Sequence, residues 1–496
     1  ILYNYQNKLD LEGKMKSTKE KIKPTIFQAI LPLIIMIVLL TIGVGFMKLR
    51  AEPIILICTS FASIIAIKLG YTWEELQKGI IEKISSALPA TLILWSVGLL
   101  IGSWMFCGTV PMIIYYGVQI INPRFLYVTA FLITAVLSTV TGTSWGSVGT
   151  IGVAIMGIAQ GLNMSLPVTA GAVVAGSYFG DKLSPFSDTT NLAPLAAGSE
   201  LYEHIKHMLY TTVPASIVSI VVYLIVGLSS KSTLASTNSV NLIQSQLSEI
   251  YNWNILLLLP VVVMILGSIL KFPTLPTMII NSFISVVIGI FVQGFSLKDG
   301  FISMINGFNV EMTGFNGKII EDIVTLINRG GAVSMTATTV LVFCSMGFAG
   351  VMSLSGMLDI ILDAILKRVK STFGVVLSTI ASCFTVAFVT GNSYLSILIP
   401  GELFRKVYLE RNLHPKNLSR TLEDSGTVLV PLIPWSAAGA YMTATLGVET
   451  LTYLPWAILN YMGIVFAIVL AITGIGVKKI SEEEKEEFLL KEGDRV

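Results

Sequence analysis

Gly180-Asp181-Lys182-Leu183-Ser184-Pro185-Phe186-Ser187-Asp188-Thr189-Thr190-Asn191-Leu192-Ala193-Pro194 interrupts what is otherwise one long apolar run, 166–197. About 18 or more apolar residues cross a hydrocarbon core roughly 30 Å thick. A central Asp or Lys costs about 2.5–3.5 kcal/mol on insertion scales, so Asp181, Lys182 and Asp188 facing lipid would cost on the order of 7–10 kcal/mol together. Pro185 and Pro194 break the helical ladder and free backbone carbonyls. Irregular backbone at membrane depth survives only where protein or a wet cavity encloses it. Carboxylate, hydroxyl and carbonyl oxygens are the donors that a small, hard cation prefers. The stretch therefore reads as a broken membrane helix at an ion site. For Asp181 and Lys182 a plain interfacial pair remains the alternative.

The whole chain has this apolar character. Of its 496 residues 53% are hydrophobic and 12% charged, against about 25% charged in a soluble domain. That is too little charge to cover a soluble surface. Candidate spans fall near 25–47, 53–70, 88–121, 166–197, 208–228, 253–270, 276–294, 332–366, 419–447 and 452–476. Two further apolar stretches, 124–161 and 372–404, are interrupted by Thr-Gly and short polar residues. They are read as re-entrant hairpins, with pairs of complete helices as the alternative.

The two halves echo one another. Thr141-Gly142-Thr143-Ser144-Trp145 matches Thr390-Gly391-Asn392-Ser393-Tyr394. Asp188-Thr189-Thr190-Asn191, with Pro194 behind it, matches Asp424-Ser425-Gly426-Thr427, with Pro431 behind. The expected architecture is an all-α polytopic membrane protein of two inverted repeats, each with five transmembrane helices and one re-entrant hairpin. Its parts are a cytoplasmic tail (1–24), a first repeat (25–228), an extracytoplasmic linker (229–252), a second repeat (253–476) and a cytoplasmic C-terminal tail (477–496). Orientation rests on lysine and arginine. The 405–420 loop carries Arg405, Lys406, Arg411, Lys416 and Arg420, whereas the equivalent 161–165 loop is uncharged. Basic loops stay inside, so equivalent loops face opposite sides. Lys48 and Arg50 run against this placement.

The candidate binding residues are Asp188, Thr189, Thr190, Asn191, Asp424, Ser425 and Thr427 from the breaks. Thr141, Thr143, Ser144, Thr390, Asn392 and Ser393 come from the tips. Na+ is expected at Asp188, Thr190 and Asp424, with Asp181, Lys182, Asp188 and Glu402 as proton-coupling candidates. Glu423 lies close to the basic loop and reads as a surface group. His204 and His207 stand i,i+3 in a polar stretch with no third ligand nearby, so an interfacial helix is preferred to a metal site. The cysteines, Cys58, Cys107, Cys344 and Cys383, show no ligand spacing. No nucleophile–base pair or phosphate-binding loop is evident, so neither an enzyme nor an ATP-driven pump is expected, and no cofactor.

The strings Gly142–Thr150, Gly180–Pro194, His204–Thr212, Asn328-Arg329-Gly330-Gly331, His414–Arg420 and Glu423–Trp435 resemble the NhaC family of bacterial Na+/H+ antiporters. The resemblance covers about residues 25 to 475. It implies a multi-pass protein of the bacterial inner membrane, a homodimer with both termini cytoplasmic and no nucleic-acid partner. It also implies a fold akin to dicarboxylate/sodium carriers, with alternating access of an elevator type. The implied activity is exchange of Na+ for H+, or in related antiporters Na+-coupled exchange of organic acids such as malate and lactate; an amino acid is a further candidate. One departure bears on substrate: the family's Asp-Gln pair after the second tip is replaced by Asn392-Ser393, and its Arg after Pro-Gly by Glu402. Loss of an acid there favours an organic or amino-acid substrate.

Overall fold

The computed structural model describes residues 21–485 except 48, 230–236, 316, 318 and 368–370. Most of the expected N-terminal tail, residues 486–496, Lys48, Arg368, Lys370 and part of the central linker lie outside the described residues. Helices account for nearly all the described regular structure; a lone bridge joins Leu413 and Lys479.

The first half contains α1 (Ile26–Leu40), α2 (Ala51–Lys68), α3 (Trp73–Cys107), α4 (Thr109–Ile120), α5 (Leu126–Thr141), α6 (Ser144–Ser147), α7 (Val153–Gly161), α8 (Leu166–Leu183), α9 (Asp188–Ala197) and α10 (Leu201–Ser229). After the central α11 (Thr237–Ile250) come α12 (Leu259–Ile269), α13 (Thr274–Ile288), α14 (Leu297–Asn306), α15 (Glu321–Ile327), α16 (Thr336–Leu354) and α17 (Met357–Leu366). The chain closes with α18 (Thr372–Thr390), α19 (Ser393–Glu410), α20 (Pro415–Leu422), α21 (Ala437–Leu446), α22 (Thr450–Tyr453) and α23 (Ile458–Thr473). Among the described residues, eight helices are long and apolar enough to cross a membrane, and up to eleven if each sharply bent pair is one span. The chain is a multi-pass membrane protein.

Helix ends follow ordinary capping chemistry. Thr25 with Gln28 and Thr72 with Glu75 form capping boxes, in which side chain and backbone satisfy each other's orphan donors. Gly142, Gly198, Gly391 and Gly447 end their helices in the left-handed region, where a side chain would be strained.

These caps recur at one fixed spacing. Gly142, Asn163 and Gly198 are matched by Gly391, Asn412 and Gly447, all with positive φ. At the same spacing, Ser187 caps α9 through the Thr190 N–H, and Ser436 caps α21 through the Gly439 N–H. This register differs from the expected motif match. It sets Asp188 against Ala437 and Asp424 against Ala175. Asp188 opens the short helix after a break, whereas Asp424 lies in the body of the helix before one. The shared Asp-Thr/Ser-Pro lettering misled because caps and breaks govern the backbone, and those sit at Pro185-Phe186-Ser187 and Pro434-Trp435-Ser436.

Close packing depends on glycine. A Cβ on Gly176 would overlap the Phe131 carbonyl and the Thr134 hydroxyl, and one on Gly180 would overlap Ala135 and Thr139 backbone. α5 and α8 therefore meet backbone to backbone, the small-residue packing expected in lipid. Gly180→Leu is expected to cost several kcal/mol through overpacking, read as a large fall in melting temperature in detergent. A similar approach joins Gly98 of α3 to the 331 turn, where the Gly331 N–H donates to the Gly98 carbonyl at 2.7 Å.

Candidate functional site

The last turn of α8 presents Lys182, and a wide helical turn over 423–427, continuing α20, presents Asp424. The Lys182 ammonium donates to Asp424 Oδ1 at 2.5 Å; side-chain exposure is 1% and 0% respectively. Thr211 of α10 donates to the same oxygen at 3.2 Å. Gly463 of α23 leaves room above the pair, since its Cβ would stand 3.2 Å from Asp424 Oδ1 and 3.8 Å from Lys182 Nζ. Desolvation makes such a pair costly to bury and costlier to break, because the survivor becomes an unpaired buried charge.

The pair is not the end of the polar network. Asp424 Oδ2, both Glu423 carboxyl oxygens and the Thr427 hydroxyl are sealed from solvent without a well-formed hydrogen bond, although Thr427 stands close enough to Glu423 to interact with it. Buried polar atoms normally find partners, so a cluster of orphaned oxygens suits a transient cation or proton. Glu423 lies within electrostatic range of Asp181, Lys182 and Asp424, and Asp181 within range of Asp188. Asp181, itself buried, accepts a hydrogen bond from Ser144 of the first tip at 2.8 Å. Asp188 is exposed and receives a long 3.4 Å contact from the Tyr394 hydroxyl of the second tip. Four acids thus run from the surface to the ion pair.

The tips and breaks converge. Gly142 abuts Phe186, and the Gly391 carbonyl accepts from the Ala437 N–H at 3.1 Å, so each tip docks on the break of its own half. Trp145 stacks on Tyr441 of α21, with ring centroids 4.3 Å apart, linking the first tip to the second break.

Most of the other expected site residues belong to the framework. Thr143 and Asn392 cap the returning arms of the hairpins, accepting from the Gly146 N–H and from the Tyr394 and Leu395 N–H groups. Thr141 pairs with Ser147 at 3.3 Å and Thr189 with Ser187 at 3.2 Å, while Thr390 donates back to the Val386 carbonyl at 2.7 Å. Ser425 donates to the Thr421 carbonyl at 2.5 Å. Asn191 is exposed and its amide donates to the Pro185 and Ser187 carbonyls; Ser393 is half-buried at the start of α19. Glu402 stands exposed on α19. The expected Na+ trio does not share one cage: Thr190 donates to the Asp181 carbonyl at 2.8 Å, Asp424 holds Lys182, and Asp188 is exposed. Among the described residues, no three His, Cys, Asp or Glu side chains form a metal cluster.

Sequence reasoning underrated Glu423, which is fully buried. The adjacent Glu423-Asp424 doublet inside an apolar stretch was the available signal. Lys182's partner was invisible because it lies 242 residues away.

Comparison with known proteins adds the family. A model of the Na+/H+ antiporter family matches residues 30–190 and 176–475. An uncharacterized Na+/H+ antiporter of Haemophilus influenzae is 50% identical over 94% of this chain and 100% of its own length. The Na+/H+ antiporter NhaC of Alkalihalophilus pseudofirmus is 36% identical over 92% of this chain and 97% of its own. A malate-2H+/Na+-lactate antiporter of Bacillus subtilis is 33% identical over 91% and 95%.

Proposed function

The chain belongs to the Na+/H+ antiporter family, and from that premise we propose that it exchanges Na+ for H+ by competition at the Lys182–Asp424 pair. The observation that carries the reading is a buried ammonium–carboxylate pair beside orphaned carboxylate and hydroxyl oxygens. Na+ entering past Asp188 and Asp181 is taken by Asp424, Glu423 and Thr427. It displaces the Lys182 ammonium from its counter-charge. An ammonium without a partner in a low-dielectric site gives up its proton, which keeps the site's net charge constant. When Na+ leaves, Lys182 regains a proton and re-forms the pair. Each turnover moves one cation against one proton at this pair.

The recurring caps support an internal duplication, and docking of each tip on its own break supports a mobile unit built from α5–α9 and α18–α21. In this reading the unit carries the site across the membrane in an elevator-like movement. The two hairpins act as re-entrant gates, and α2, α3, α13 and α16 form the static frame through which two copies pair. In the same reading the two halves are inverted repeats, and the protein sits in a cell membrane with both termini cytoplasmic.

The test is purified protein in liposomes carrying an internal pH dye. An imposed Na+ gradient should drive proton movement in the opposite direction; no sodium-driven pH change would overturn the reading. Malate or lactate stimulating that flux would point instead to a coupled organic substrate, as the name of the Bacillus subtilis relative suggests. Asp188→Asn is expected to raise the Na+ concentration for half-maximal rate by about tenfold, the scale of one lost charge attraction near a protein surface. The maximal rate should stay near normal, because Asp188 guides entry rather than holding the bound ion.

A further inference from the structure

Every histidine in the chain gathers at one seam. His204 and His207 lie on the face of α10 that also carries Thr211, and His414 caps α20. Opposite them α20 presents Asn417, Ser419 and Arg420 on its way to Asp424. His204 Nδ1 is 2.9 Å from Ser419 Oγ, and His207 Nε2 is 3.2 Å from Asn417 Oδ1. α10 meets the continuation of α20 again where Thr211 contacts Asp424 at the ion pair.

The surrounding bonds assign the tautomers. Ser419 Oγ has the Lys416 carbonyl as an acceptor at 3.1 Å and a further contact from Ser199 Oγ at 3.2 Å; with its proton on that carbonyl, it accepts from His204 Nδ1–H. That leaves His204 Nε2 as a bare lone pair, buried and without a partner. The Asn417 amide nitrogen donates to the His414 and Lys478 carbonyls at 2.8 and 2.6 Å, and its oxygen accepts from the Lys478 N–H at 2.9 Å. Oδ1 is thus held as an acceptor, and His207 must carry its proton on Nε2. Its Nδ1 is then the basic nitrogen.

The rings also lie within electrostatic reach of one another in order. His414 reaches His207, His207 reaches His204, and His204 reaches Lys182. The outer end opens at Glu203, which is half exposed and faces His414 at 3.7 Å and Lys416 at 3.4 Å. Arg420, Lys416 and Tyr210 are the other ionisable groups facing the seam. A strap from the C-terminal side seals it: the Gly476 carbonyl accepts from Arg420 at 3.0 Å and the Lys478 carbonyl from the His414 N–H at 3.0 Å.

We propose that this seam is the proton path to Lys182, separate from the acidic file that admits the cation. The proposal rests on the competition reading above. Each neutral imidazole takes up a proton at its unbonded nitrogen, His207 Nδ1 or His204 Nε2, and gives it up from that same nitrogen, while its other N–H stays on Asn417 or Ser419. His414 and His207 pass a proton inward, His204 Nε2 carries it as an imidazolium, and the neutral Lys182 amine takes it up as Na+ departs, which returns His204 to its neutral form. The reverse sequence drains the proton when Na+ enters. Separate routes let cation and proton exchange without meeting in one narrow passage.

The experiment compares two fluxes in liposomes, sodium-driven proton movement and proton-independent exchange of radiosodium for sodium. His204→Gln and His207→Gln keep hydrogen-bonding groups at the seam but cannot shuttle a proton. Each is expected to slow Na+/H+ exchange about tenfold or more, in line with removing a positioned proton-transfer group, and to leave Na+/Na+ exchange within about twofold. His204→Ala should lose proton-coupled exchange likewise and recover part of it in millimolar imidazole. Equal loss of both fluxes, with no rescue, would make the seam structural and overturn the proposal; so would unchanged Na+/H+ exchange in all three variants. Absence of sodium-driven proton flux in the unmodified protein would remove the competition reading itself, and the path with it.

Discussion

Asp424→Asn is expected to abolish sodium-driven proton flux and lower the stability of the detergent-solubilised protein. The substitution removes the carboxylate bonded to the Lys182 ammonium, which is 1% exposed. Breaking one side of a buried pair costs about 3–5 kcal/mol, because the remaining ion keeps its desolvation penalty without its attraction. Lys182→Met on its own should do comparable harm by stranding Asp424. The combined Lys182→Met, Asp424→Leu protein separates stability from function. Replacing both ions with apolar groups of similar volume is often neutral or stabilising, so its melting temperature should recover most of the loss while transport stays absent. Sodium-driven flux in the double variant would show that the pair is packing alone.

The second large effect is expected at Glu423. Glu423→Gln retains shape and can hydrogen-bond, but it removes the ionisable carboxyl whose two oxygens are buried without a well-formed hydrogen bond. Because nothing in the fold depends on a bond to those oxygens, the substitution should leave the melting temperature near normal. The effect should fall on transport. If Glu423 and Thr427 complete the cation's oxygen shell, the Na+ concentration for half-maximal flux rises at least about a hundredfold, equivalent to roughly 2.8 kcal/mol. Thr427→Val should show a smaller shift in the same direction, since a hydroxyl contributes less than a carboxylate. A Glu423→Gln protein with ordinary sodium dependence would take Glu423 out of the binding set. Measured together, the two substitutions distinguish a group that binds the ion from one that holds the fold: Asp424 lowers both readouts, Glu423 only one.

Much of this was legible in the chain itself. Long apolar runs and scarce charge dictate a multi-pass helical protein, since a continuous apolar run of about 18 or more residues satisfies its own backbone groups in lipid as a helix, whereas barrel strands are shorter and alternate. The acid and lysine of Asp181-Lys182, set among prolines, mark a place that lipid would reject. Gly142 and Gly391 mark the turns, because a left-handed residue after Thr ends each helix. The long strings shared with NhaC proteins carry the family.

What a linear reading lacks is register and depth. Asp188 and Asp424 sit in similar letters, yet one is exposed and the other fully enclosed, because burial depends on which helices pack around a residue. Glu423 lies beside a basic loop in sequence and is fully buried in the fold. Lys182 finds Asp424 across 242 residues, and the histidine seam forms only when α10 lies against α20. Composition and local pattern determined that this chain spans a membrane and breaks its helices around charge. Which charges meet was decided by packing, since Coulomb attraction and desolvation depend on distances that chain order does not encode.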